Sequence, residues 1–166
     1  MRLQHVSAAL GALVLWCATC SAPALGAVTC SFTVASGVNF GNYDVFNGAT
    51  TTANGTLTFN CTGVGPGGDS VTIALNRGLH SPVLPNRNMA NGAQLLSYNL
   101  YTNAALTIIW GNGNHGTVEY GPITAFDSTP VTVTIYGAIP AGQDLTAGSY
   151  TAVSYTHLTL PTICSV

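Results

Sequence analysis

From position 28 to position 152 apolar residues recur at every second place in short runs, broken about every ten residues by clusters of Gly, Asn, Asp, Pro and Ser. That pattern predicts an all-β sandwich or barrel. In the first run Val28, Cys30, Phe32 and Val34 share one phase, with Thr29, Ser31 and Thr33 on the other. In the next, Thr56 to Cys61, Leu57, Phe59 and Cys61 oppose Thr58 and Asn60. Further runs are Val71 to Leu75, Leu96 to Tyr101, Leu106 to Trp110 and Val131 to Tyr136. About seven strands therefore belong to one domain. Turn signals stand between them at Gly63 to Gly68, Asn91-Gly92 and Gly111 to Asn114, where glycine and asparagine supply the backbone freedom that turns demand. The shared phase places Phe32, Val34, Leu57, Phe59, Val71, Ile73, Tyr98, Leu100, Val133 and Ile135 in a core or groove.

Cys30 and Cys61 fall in the apolar phase of their strands, which aims both inward. A bridge between them closes a loop of about 30 residues, worth roughly 3 to 4 kcal/mol in the chain-entropy model. Disulfides persist in oxidising compartments, and the front of the chain points the same way. Met1-Arg2 leads into an apolar run from Val6 to Ala18 and then the small residues Ser21 to Gly26, the form of a secretory signal. Cleavage is expected between Gly26 and Ala27, giving a signal peptide over 1–26 and a β domain over 27–152. Cys17 and Cys20 then leave with the peptide. Leu15-Trp16-Cys17 is the alternative, a lipid-attachment box, against which the tryptophan speaks.

Charge changes the picture by its scarcity. The chain is 47% hydrophobic and 5% charged, with no lysine. After the expected cleavage only Arg77 and Arg87 stand against Asp44, Asp69, Glu119, Asp127 and Asp144. Two isolated arginines cannot supply the field that phosphate binding needs, which excludes nucleic acid as a partner. Few charges also leave strand edges open to pairing with other chains.

Enzyme chemistry finds no foothold. His80 and His115 sit among Gly, Asn and Ser, without the spacing of metal ligands. No Gly-x-Ser-x-Gly elbow exposes a nucleophile, and the five acids lie on separate loops. Gly63 to Gly68 lacks the Lys-Ser/Thr of a phosphate loop. No enzyme activity, cofactor or metal is expected. Arg87 and Asp127 read as structural groups, Arg87 pairing with an acid or with backbone carbonyls at the base of a loop.

Several segments together resemble the spore coat protein U family, the pilin domain of archaic chaperone-usher pili, from about Val28 to Thr151. They are Cys30 followed by Phe40 to Asp44, the strand with Cys61 and Thr62, Leu95 to Tyr101, Trp110 to Gly113, Val133 to Gly137, Ile139 to Gln143, and Ala147 to Tyr150. The resemblance implies an immunoglobulin-like, pilin-type antiparallel sandwich that lacks one strand. It implies a periplasmic chaperone, an outer-membrane usher and other pilus subunits as partners, a periplasmic route to the cell surface, and a role in attachment and biofilm formation. A self-contained extracellular ligand-binding module, working through loops such as Gly111 to Gly116, is the alternative.

Two departures from the family pattern carry expectations of their own. Only Ala27, Val28 and Thr29 would precede Cys30, whereas a donated extension needs about ten or more alternating residues to span a groove. The chain is therefore expected to receive a strand and not to give one, as a tip-type domain or the first of two tandem domains. At the other end Val153 to Thr162 resembles the translation of a transposase-type sequencing adapter. Residues 153–166 are accordingly expected to be a non-native tail in place of the last strand, with a divergent final strand as the alternative. Thr and Leu alternate through it, Pro161 would confine it to an edge, and Cys164 has no evident mate.

Overall fold

The computed structural model describes residues 27–153 and 156–160. The expected cleavage position at Gly26, the cysteines at 17 and 20, and Pro161 and Cys164 lie outside them. Among the described residues eight strands follow one another: β1 (Thr29–Ser36), β2 (Thr51–Thr62), β3 (Asp69–Leu75), β4 (Arg87–Asn91), β5 (Gln94–Tyr101), β6 (Tyr120–Ala125), β7 (Val131–Ile139) and β8 (Thr156–Thr159). They form a five-stranded sheet in the order β1-β2-β7-β5-β4 and a three-stranded sheet in the order β6-β3-β8. Every ladder is antiparallel.

The alternation of β2 and β7 explains their central place. Leu57, Phe59 and Cys61 are buried on one face of β2, and Val133, Ile135 and Ile139 on one face of β7. Thr58 and Thr132 meet on the other, their hydroxyls 2.8 Å apart. One core draws on both sheets, joining these residues to Val71, Ile73 and Leu75 of β3 and to Leu96, Tyr98 and Leu100 of β5. Trp110 is fully buried and donates its indole N–H to the carbonyl of Ile73 at 2.8 Å, so its one polar atom is satisfied.

Cys30 and Cys61 face each other in the β1–β2 register and are joined as a disulfide. Along β1 the register shifts between Phe32 and Val34, which stands opposite Thr58. The inserted residue is a bulge, and it interrupts the single phase expected from Val28 to Val34. The Val34 side chain lies outside the described residues.

Leu106 to Trp110 is a loop rather than the expected strand. Leu106 sits at φ 57°, and the Asn103 carboxamide oxygen accepts the N–H groups of Thr107 and Ile108 at 3.2 and 3.1 Å. A side chain has captured the donors that a ladder would use. Between β4 and β5 the predicted turn forms with Gly92 at φ 59°, the conformation that tight hairpins ask of a first turn residue. β8, in the tail, pairs with β3 from Thr72–Thr159 to Leu75–Thr156.

Candidate functional site

Among the described residues β1 is paired only with β2, and β8 only with β3. Each therefore turns one row of backbone groups away from any ladder. Between the two sheets on this side lies a cleft of about 1300 Å³, larger than an ordinary small-molecule pocket. Phe32, Leu57, Met89, Leu96, Tyr98, Leu100, Ile135 and Ile139 line it from the large sheet and Leu75 from β3. Its rims are two irregular segments, Ser36 to Phe46 and Leu145 to Val153. The surface it offers is a long apolar trough beside unpaired backbone.

Three local devices shape the rims. Gly137 faces inward on β7, and a Cβ there would come within 2.6 Å of Val38 Cγ1 and 2.7 Å of Phe40 Cζ. The missing side chain is the space into which the first rim packs. Phe40 then meets Tyr98 edge-on, the ring centroids 6.1 Å apart. The first rim is tied to the segment that leads into the second through Tyr43, whose hydroxyl donates to the Pro140 carbonyl and accepts the Gln143 N–H, both at 3.0 Å. Gln143 in turn pairs its carboxamide with the backbone of Ser97, accepting its N–H at 2.7 Å and donating to its carbonyl at 2.9 Å. The amide takes the place of a neighbouring strand where β7 has ended. On the second rim Thr151 exchanges both backbone hydrogen bonds with Ala90, at 2.8 and 3.1 Å, and so covers the edge of β4.

A family model, the Spore Coat Protein U domain, matches residues 17–154. The chain belongs to the Spore Coat Protein U family. Protein U of Myxococcus xanthus is 32% identical over 125 residues, 68% of this chain and 65% of that protein. The chain thus spans just under two-thirds of that relative's length. Solved structures share the fold at lower identity. A chain of the CsuC–CsuE chaperone–tip adhesion subunit pre-assembly complex from the archaic chaperone-usher Csu pili of Acinetobacter baumannii aligns with TM-score 0.53 at 18% identity, over 80% of this chain and 39% of that one. The P pilus rod subunit PapA gives 0.50 at 17%, over 79% and 98%. A chaperone-usher pilus described for rod uncoiling gives 0.51 at 15%, over 95% and 99%. The fold is a pilin-type β-sandwich.

Within this Spore Coat Protein U domain the residues singled out in the sequence take definite places. Leu57, Tyr98, Leu100 and Ile135 are buried at the cleft and Phe32 is half-buried there, while Phe59, Val71, Ile73 and Val133 lie buried in the core. Among the described residues no three His, Cys, Asp or Glu side chains gather in a way that could hold a metal ion. Asp127 serves a loop, its carboxylate accepting the Val64 N–H at 3.2 Å and the Ser128 hydroxyl at 3.1 Å.

Arg87 is fully buried on β4. Its guanidinium donates to the Asn76 carbonyl at 3.1 and 3.0 Å and to the Trp110 carbonyl at 2.7 Å, so backbone carbonyls take the role an acid could have filled. Burial lowers its pKa to about 10, against a smaller opposing effect of Tyr98. Sequence reasoning gave no role to Gly137, Tyr43 or Gln143, although all three stand in segments that carry the family resemblance.

Proposed function

We propose that this chain is a secreted structural subunit of a chaperone-usher type pilus or surface coat, completed by an extended strand from another molecule. The observation that carries the proposal is the apolar trough flanked by the free edges of β1 and β8. An inserted strand can satisfy both features at once, since main-chain hydrogen bonds supply affinity and alternate side chains filling the trough supply register. The fold shared with pilus subunits supports this reading, as does the family.

Phe46, 94% exposed on the lip of the trough, is suited to contact what enters. In this reading a periplasmic chaperone holds the trough before assembly, an outer-membrane usher passes the subunit on, and a neighbouring subunit donates the final strand. A tip-like place in the fibre, with attachment and biofilm formation as the outcome, fits the similarity to a complex that contains a tip adhesion subunit.

Co-production with a chaperone of this class tests the proposal. Soluble, stoichiometric complex is expected with the chaperone, and aggregated or degraded chain without it. A chain that accumulates alone as a monomer, melts cooperatively and does not change on co-production would overturn the proposal in favour of a self-contained ligand-binding module.

A further inference from the structure

The outer face of the five-stranded sheet carries a second pattern, separate from the trough. β1, β2, β5 and β7 contain no charged residue, although charged side chains are mostly found exposed. Their outward positions are Thr, Ser, Asn and Tyr almost throughout. In the middle Tyr136 stands in register with Asn54 on one side and Tyr101 on the other. The adjoining rows are Thr56–Thr134 and Thr52–Ala138–Asn99. Three strands make this platform roughly 10 Å wide, with rows about 7 Å apart. Both tyrosines are half-buried, and Asn54, Thr56 and Thr52 are exposed.

Tyrosine with Ser and Asn is the composition of surfaces that bind by flat, rigid contact and adaptable hydrogen bonding. Asn54 is exposed beside Tyr136, and its carboxamide carries both a donor and an acceptor.

From these observations we infer that the Asn54–Tyr136–Tyr101 platform binds a neutral polysaccharide. The absence of charge fits an uncharged ligand and offers nothing to an anionic one. Sugar rings present apolar faces to tyrosine and hydroxyl donors to carboxamides. An oily surface would leave the Thr and Asn groups unpaired.

The test is retention of the full chain, purified as its soluble complex with a chaperone of this class, on insoluble cellulose, chitin and a β-1,3-glucan, with the chaperone alone, alginate and polystyrene beads for comparison. Retention is expected on at least one neutral polysaccharide and not on alginate or polystyrene. Tyr101→Ala and Tyr136→Ala should each weaken it about tenfold, the scale of one aromatic contact. Tyr136→Phe should keep most of it, and Leu79→Ala, on a distant loop, all of it. Circular dichroism of each variant separates lost binding from lost fold. Failure on all three neutral polysaccharides, equal retention on alginate, or full retention by a folded Tyr101→Ala/Tyr136→Ala double variant would each overturn the inference. A chain that stays soluble without the chaperone is assayed alone, so failure of the trough reading and failure of this inference are read separately.

Discussion

Replacing both bridged cysteines, Cys30→Ala with Cys61→Ala, tests how the first wall of the trough is held. Among the described residues β1 has one ladder partner, and the bridge joins it to that partner across an in-register pair with a sequence separation of 31. In the chain-entropy model a loop of this length is worth about 3.7 kcal/mol. Cys61 is also 1% exposed in the core, so its loss adds a small packing cost. Against a typical total of roughly 5 to 15 kcal/mol for a domain, this is a large share. Urea unfolding of the chaperone-bound chain, followed by hydrogen exchange in the chain's own peptides, should show a midpoint lower by about 2 M. Hydrogen exchange should quicken in Ser31 to Ser36 before it does in β7. A loss under about 1 kcal/mol with an unchanged denaturant slope would refute the reasoning, because it would mean that the ladder and Phe32 alone hold β1 in place. Changing both residues avoids leaving an unpaired thiol.

Substitutions at three further positions have expected outcomes. Gly137→Val should drive a side chain into Val38 and Phe40 and cost about 1 to 3 kcal/mol or more, seen as a lower melting temperature and loss of the near-ultraviolet signal from the Phe40–Tyr98 contact. Tyr43→Phe removes the hydroxyl that links Pro140 and Gln143, and should cost about 1 to 2 kcal/mol, with faster exchange of the Gln143 amide. Arg87→Ala should cost about 3 kcal/mol or more in urea unfolding, because it orphans the Asn76 and Trp110 carbonyls and leaves a cavity. Arg87→Lys should recover only part of this, since an ammonium lacks the fork that reaches both carbonyls.

How far the fold could be read from sequence varied with the local chemistry. β2 and β7 were legible because large apolar residues alternate strictly with threonine and asparagine, and only a strand uses that period. β4 was not, since Arg87-Asn88-Met89-Ala90-Asn91 has no β-branched residue and turns an arginine inward. β6 was hidden by Gly121-Pro122, a pair that ordinarily reads as a break. Leu106 to Trp110 misled in the other direction, because its apolar run is overruled by the Asn103 carboxamide. The trough was visible only through the family resemblance. Its rims come from segments with no period at all, and the residues that fix them are a glycine, a phenol and a carboxamide whose partners lie 40 to 100 residues away.

The four outer strands of the two sheets are not equally open, and their differences give the trough a direction. β4 is covered at Ala90 by Thr151. β6 carries Pro122, a residue without a backbone donor that discourages pairing. β8 is four residues long, and short edges are themselves a protection. β1 runs for eight residues with no proline and no charge, and its single defence is the bulge after Phe32. It is also the edge that supplies Phe32 and Ser36 to the cleft lining. Under the proposed function, a strand arriving from outside would find its longest run of unpaired backbone along β1 and its apolar seats beside it. On the opposite side β8 contributes a shorter ladder. The disulfide fixes the longest open edge, which is why its removal should loosen β1 along its length as well as lower stability.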